Sequence, residues 1–280
     1  MIKNLFSLTI LIVIASCNIK NKDSAKTEQN QSNMTEKNSI LTKEVTYQLD
    51  TLVMKGFIAY DSSIHNKRPG ILVVHEWWGL NNYARKRARM LAELGYTAMA
   101  VDMYGNNRVA EIPEMAGKYA GEVMADPEVA FARFNKAFSL LKEQEPVDST
   151  RIAAIGYCFG GGVVLQMARS GINLKGVVSF HGRISTITPA QKGKIRASVL
   201  VCNGGADKSV TPDQIETFKK EMENAGVDYK FVSYEGAVHA FTNPEEDIAA
   251  KKFNMTNIGY NESADKQSWE EMIAFFNRIL

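Results

Sequence analysis

The tightest constraint on this chain is a seven-residue stretch, Gly156-Tyr157-Cys158-Phe159-Gly160-Gly161-Gly162, set between the apolar run Arg151–Ile155 and a helical pattern over Phe159–Arg169. Four glycines around one cysteine fit a sharp reversal from strand to helix, where side chains would collide with the neighbouring strand or helix. Such a turn forces its central residue into a strained backbone conformation at the edge of a sheet. The helix that follows aims the positive end of its dipole at that residue. The segment therefore demands strands that feed helices, and it nominates Cys158 as a nucleophile. A structural cysteine beside a glycine-rich turn is the competing reading.

From Leu41 the whole chain follows that demand, with short apolar runs alternating with helical stretches. Glu44–Leu49 and Leu52–Tyr60 read as a hairpin; Gly70–His75, Tyr96–Val101, Arg151–Ile155, Lys175–Phe180, Ser198–Cys202 and Tyr229–Tyr234 read as further strands. Helices are expected at Asn81–Leu94 with Gly95 as its cap, and at Phe159–Arg169 and Thr211–Ala225. One or two more lie between Glu111 and Lys142, divided at Asp126-Pro127. The last, Ser263–Leu280, carries an apolar stripe of Trp269, Met272, Ile273, Phe276 and Leu280. This alternation predicts a single α/β domain over 41–280, with a mostly parallel sheet and helices on both faces. A chain of 280 residues is ample for the core this requires. Chemistry in such a sheet belongs at the carboxyl ends of its strands.

A cysteine nucleophile needs a base and an acid that orients it, usually in the chain order nucleophile, acid, histidine. Of four histidines, His65 lies in a polar loop, and His75 and His181 end strands ahead of the acid that the order requires. His239 follows the last strand, and Asp207 follows the strand before it. Asp102 competes as the acid but follows a much earlier strand and reads as closing a turn. The expected triad is Cys158 attacking, His239 moving the proton and Asp207 fixing the imidazole. The backbone N–H groups of Phe159 and Trp77 are the expected oxyanion donors.

The segments His75-Glu76-Trp77-Trp78-Gly79-Leu80-Asn81, Asp102-Met103-Tyr104-Gly105, the Cys158 turn, Gly205-Ala206-Asp207 and His239-Ala240-Phe241 together resemble the dienelactone hydrolase family of α/β-hydrolases. The resemblance runs from about Leu41 to the end. It implies the α/β-hydrolase fold and hydrolysis of an ester or lactone through an acyl-cysteine intermediate, with no cofactor. It also gives Glu76 a place beside the resting thiol and a part in switching it to thiolate. Physically, a carboxylate near a thiol discourages its ionisation until substrate displaces it. A solvated loop glutamate is the plainer alternative. Trp78, Tyr104 and Asn243 are the expected substrate contacts, although Trp77 and Trp78 read equally well as core packing. Family members acting on dienelactone hold its carboxylate with arginines, one of them four residues past the catalytic histidine. Here Asn243 stands at that position, and neither Arg108 nor Lys118 aligns securely with the second arginine. That departure points toward neutral esters or lactones. A thioesterase or other acyl-transfer enzyme on the same triad, or a binding module that has kept the fold without catalysis, are the alternative functions.

Ahead of the domain, Lys3 precedes an apolar run from Leu5 to Ala15 that ends Ile14-Ala15-Ser16-Cys17. The run is too short for a stable transmembrane helix and reads as a secretory signal. Its end resembles the lipobox of bacterial lipoproteins, which implies signal removal, acylation of Cys17, and anchoring to a bacterial membrane on the periplasmic side or the cell surface. Residues 1–17 are the expected signal segment. Residues 18–40 bury almost nothing, cannot offset their ordering entropy, and read as a flexible linker. Lys plus Arg number 33 against 31 Asp plus Glu, an even balance that gives no reason to expect nucleic acid as a partner. No P-loop, dinucleotide fingerprint or Cys/His metal spacing occurs, so neither cofactor nor metal is expected. A monomer acting on a small molecule is. Arg85, Lys86, Arg87 and Arg89 read as a solvated helix face, or one resting on anionic head groups. Cys202 reads as a plain core residue, outside any disulfide.

Overall fold

A strand buried on both faces must be apolar at every position, and the run Ile71-Leu72-Val73-Val74 meets that condition. In the computed structural model, which describes residues 39–280, Ile71 and Val73 pack into one core and Leu72 and Val74 into another, on opposite faces of one sheet. The sheet has eight strands: β1 (Ile40–Leu49), β2 (Leu52–Asp61), β3 (Arg68–Val74), β4 (Thr97–Val101), β5 (Val147–Tyr157), β6 (Gly176–Phe180), β7 (Ser198–Gly204) and β8 (Tyr229–Tyr234). Their order is β1-β2-β4-β3-β5-β6-β7-β8. β1 and β2 pair antiparallel, as do β2 and β4, while every other neighbouring pair is parallel.

Seven helices accompany the sheet among the described residues: α1 (Asn82–Glu93), α2 (Pro113–Met124), α3 (Pro127–Lys142), α4 (Phe159–Ser170), α5 (Pro212–Ala225), α6 (Glu246–Phe253) and α7 (Glu262–Ile279). Phe134, Phe138 and Leu141 of α3, Val163 and Met167 of α4, and Phe218 and Met222 of α5 fill one core. Ala84, Ala88 and Leu91 of α1, with Met272, Phe275 and Phe276 of α7, fill the other. The expected α/β architecture is thus the observed one.

Several local details differ from expectation. β1 begins at Ile40, four residues before the expected strand and one before the expected domain start. β5 begins at Val147, four residues early, because Val147 and Asp148 already pair with β3 ahead of a register shift at Pro69/Gly70. Polar Asp148-Ser149-Thr150 hides that start from a reading by hydrophobicity. On α7 the buried aromatics are Phe275 and Phe276, while Trp269, Ile273 and Leu280 are only partly covered. The helix α6 was not anticipated. Between α2 and α3 the break is where Asp126 caps α3, accepting from the Glu128 N–H at 2.9 Å, with Pro127 as the first helical residue. The expected signal segment with Cys17, and the linker up to residue 38, lie outside the described residues.

Candidate active site

Cys158 occupies the turn between β5 and α4 with φ +52° and ψ −113°, a conformation side-chain-bearing residues rarely adopt. The glycines around it have a steric reason. A Cβ on Gly156 would stand 2.0 Å from the Gly160 carbonyl oxygen, and one on Gly160 would stand 2.4 Å from that of Val74. Backbone bonds hold the strain in place. Gly160 N–H donates to the His75 carbonyl at 3.1 Å, and Cys158 N–H is shared between the Phe180 carbonyl at 3.0 Å and His181 Nδ1 at 3.1 Å.

The Cys158 Sγ lies 3.1 Å from His239 Nε2, and His239 Nδ1 lies 2.8 Å from Asp207 Oδ2. Asp207 sits in the loop after β7, where its Oδ1 accepts from Asn257 Nδ2 (2.9 Å), Ser209 N–H (2.9 Å) and Ser209 Oγ (2.6 Å). Burial opposes ionisation of Asp207, but the bond and charge of His239 and the Ser209 donors outweigh it and hold the carboxyl well below the usual carboxylate range. His239 itself follows β8. Its N–H donates to the Asn257 carbonyl at 3.0 Å, and its carbonyl accepts from Gly259 N–H at 3.1 Å. Burial would lower the imidazole, yet negative charge at Cys158 and the bond to Asp207 carry it well above its ordinary value.

The remaining histidines near the thiol have other tasks. His75 donates from Nδ1 to the Glu76 carbonyl at 2.5 Å and accepts from Met103 N–H at Nε2 (3.3 Å). Burial pushes it down to about 4, so it is neutral. His181 accepts from the Cys158 N–H at Nδ1 and therefore donates from Nε2 to Thr242 Oγ1 at 2.8 Å. Burial, then the charge of His239, holds it well below the ordinary histidine range. Asp102 accepts from the N–H groups of Lys55, Tyr104, Gly105 and Asn107, which makes it the closure of a turn.

Two cavities meet at Cys158 and His239. The larger, about 740 Å³, includes Trp77, Met124, Phe159 and Arg183 in its wall. The smaller, about 130 Å³, shares Trp77 and Ile258 with it and adds Glu76, Ala240 and Glu246. The Trp77 and Phe159 N–H groups, expected as oxyanion donors, have no backbone acceptor among the described residues.

The three expected substrate contacts are not in the wall of either cavity, because each polar group is satisfied inside the protein. Trp78 Nε1 donates to Glu246 Oε1 at 2.6 Å, and its ring lies against Phe253. Tyr104 is fully buried beside His75 and Phe159, with its hydroxyl donating to the Trp77 carbonyl at 2.8 Å. Asn243 Nδ2 donates to Glu76 Oε2 at 2.7 Å. Glu76 is no solvated loop residue: it is 2% exposed, and its Oε1 has no partner. Burial, with the charge of Glu246 adding to it, pushes the Glu76 carboxyl up to about 8. Arg108 is paired with Glu122 and lies over Tyr119, and neither it nor Lys118 reaches the large cavity. Apart from His239, Arg183 is the one basic side chain among the described residues of that wall.

The basic cluster on α1 is not one solvated face, since Arg87 is buried. It pairs with Asp265, donates to the Thr242 carbonyl at 2.7 Å, and donates from Nε to the Tyr83 hydroxyl at 3.1 Å. Tyr83 Oη is 2.6 Å from Thr242 Oγ1, which accepts from His181. A continuous polar chain therefore runs from α1 to the N–H of Cys158. Tyr83, Thr242, Glu246 and Asn257 are not singled out by the sequence, and Arg87 and His181 read there only as a surface cation and a strand-end histidine, yet all six lie in the hydrogen-bond network around the site. For Glu246 a signal existed: Pro244-Glu245-Glu246-Asp247 followed by Lys251-Lys252 is the charge order of a short helix.

Residues 54–280 match the Dienelactone hydrolase family. A provisionally named carboxymethylenebutenolidase of Saccharolobus solfataricus is 26% identical over 281 residues, covering 85% of this chain and 99% of the relative. The solved structure called m3DLH is 34% identical with a TM-score of 0.80, over 86% of this chain and 99% of that one. A dienelactone hydrolase-like promiscuous phosphotriesterase from metagenomic libraries is 31% identical with a TM-score of 0.79, over the same shares.

Proposed function

The chain belongs to the dienelactone hydrolase family, and from that premise we propose that it hydrolyses a small ester or lactone through an acyl-cysteine intermediate. The observation that carries this reading is the unbroken contact from the Cys158 sulfur through His239 to Asp207, set in the wall of a cavity large enough for a small molecule. The Cys158 thiol passes its proton to His239 Nε2, the sulfur attacks the substrate carbonyl carbon, and the carbonyl oxygen takes up the charge beside the Trp77 and Phe159 N–H groups. His239 then gives its proton to the departing alcohol oxygen as the carbon–oxygen bond breaks. In the second half His239 takes a proton from water. The hydroxyl attacks the thioester, and the thiolate leaves and recovers its proton from His239. Asp207 stays ionised throughout and keeps the imidazole in one orientation.

The test is turnover of a panel of esters, lactones and thioesters, with the acylated enzyme captured by intact-mass measurement. Cys158→Ala must abolish both turnover and adduct. Retained hydrolysis in that variant removes covalent catalysis from the account. Faster thioester turnover throughout the panel would move the reading to a thioesterase. Neutral substrates are favoured because Asn243 is committed to Glu76 and offers a carboxylate nothing. The lipobox-like end at Cys17 adds a proposal on location: a lipid-anchored chain, with the catalytic domain held off a membrane by the linker. Metabolic lipid labelling, with Cys17→Ala as control, tests it separately from the chemistry.

A further inference from the structure

Two buried carboxyls open onto the smaller cavity, and the mechanism above uses neither. Glu76 and Glu246 are 2% and 3% exposed. Each has one oxygen held by a single uncharged donor, Asn243 Nδ2 at 2.7 Å and Trp78 Nε1 at 2.6 Å respectively. Each has its other oxygen, Glu76 Oε1 and Glu246 Oε2, buried without a partner. The remaining walls are Trp77, Cys158, His239, Ala240 and Ile258. Two ionised carboxylates cannot share so small a chamber at low cost, and an uncompensated buried charge is among the costliest things a fold can carry. The other charges near Glu76 do not resolve this. His239 is already engaged by Cys158 and Asp207, and Arg87 by Asp265 and the Thr242 carbonyl. Tyr83 and Tyr157, which also face Glu76, are kept neutral by burial.

We propose that Glu246 is a positioning residue acting through Glu76: the two carboxyls hold one proton between them across the chamber, so the group beside the Cys158 sulfur stays an uncharged acid. A neutral Glu76 does not repel the thiolate that attacks the substrate. An ionised one does. Glu246 thus carries the one charge of the pair, with Trp78 Nε1 donating to it, and the opposing charge that faces the nucleophile across the chamber is one rather than two over the working range. The raised value of Glu76, about 8, agrees with that arrangement. The inference rests on Cys158 being the reactive thiol, and its test reads the thiol directly without requiring turnover.

The measurement is the rate of Cys158 alkylation by iodoacetamide against pH, followed by mass spectrometry. Wild type, Glu246→Gln, Glu246→Asp, Glu76→Gln and the Glu76→Gln/Glu246→Gln double variant are compared. Glu246→Gln can still accept from Trp78, so the packing is conserved. In wild type the rise in rate with pH should flatten as Glu76 ionises near pH 8. Glu246→Gln should shift that break downward by about one pH unit or more, as expected when one close like charge is lost. Glu246→Asp should restore it in part, and Glu76→Gln should abolish it. In the double variant the Glu246 substitution should have no further effect. A Glu246→Gln profile that superimposes on wild type overturns the proposal. So does a shift that persists in the Glu76→Gln background, since Glu246 would then act through Trp78. Infrared difference spectra at neutral pH give a second readout, because a protonated-carboxyl band must weaken in Glu246→Gln. Loss of ester turnover with this pH pattern intact would count against the proposed reaction and leave the shared proton standing.

Discussion

Asp207 and Glu76 are both buried carboxyls within reach of His239's charge, yet they titrate in opposite directions. Asp207 has four donors: His239, Asn257, and both the amide and hydroxyl of Ser209. Glu76 has one, the Asn243 amide, and it faces a second carboxyl. Burial opposes ionisation of both and is deeper at Glu76, which accounts for part of the difference. The number of donors and the sign of the nearest charge supply the rest. One fold therefore keeps an anion on one side of the imidazole and a neutral acid near the other.

The contrast can be broken most severely at Asp207. Asp207→Asn should leave the fold intact but turn the imidazole toward the wrong tautomer, lowering kcat by about 10⁴-fold. A loss under tenfold in steady-state assays would mean that Asp207 does not orient His239. A subtler break is Asn257→Leu, which takes one donor from the anion. Asp207 is depressed in the folded state, so its stabilisation is present above the unfolded carboxylate value and is lost as pH falls toward the folded one. Removing a donor moves the folded value up, and the acid-unfolding midpoint should rise by about one pH unit, since a bond to a charged group contributes about 1.5–3 kcal/mol. An unmoved midpoint by circular dichroism would show that Asn257 does not support the charge.

Glu76→Gln tests the opposite sign. A carboxyl raised to about 8 contributes stability that is complete below its unfolded value and lost as pH rises through 8. The amide removes that loss, so at pH 8 the variant should melt several degrees higher than wild type, since a raised value this large carries more than the ~1 kcal/mol that gives about 2–4 °C in a domain this size. At pH 4 the two should melt together, and a lower melting point at both pH values contradicts the assignment. The smallest effect belongs to the open cavity. There Arg183 faces solvent, where screening limits an ion pair to ~0.2–1 kcal/mol. Arg183→Gln should cut kcat/KM for an anionic ester by about two- to fivefold and leave its neutral methyl ester unchanged. Equal effects on both substrates would remove Arg183 from substrate selection.

How much of this was legible beforehand differs between the same two regions. The chain alone determined the sheet-and-helix alternation and the Cys158 turn, because periodicity and steric exclusion act over a few residues. Gly156 and Gly160 are needed by atoms close in sequence or by the adjacent strand that any parallel sheet supplies. Loop position after β7 and β8 was enough to single out Asp207 and His239, since strand ends converge on one edge whatever the details. The environments of those groups were decided only by tertiary structure. Asn257 reaches Asp207 across 50 positions, Asn243 reaches Glu76 across 167, and Trp78 reaches Glu246 across 168. A motif cannot encode such contacts, because donor count and nearby charge are set by segments that meet only once the chain is packed. The same is true of Arg87, which reads as one more surface cation on α1 until packing brings Thr242 and Asp265 against it. Local sterics act along the chain and can be read there; electrostatic environment exists only in space.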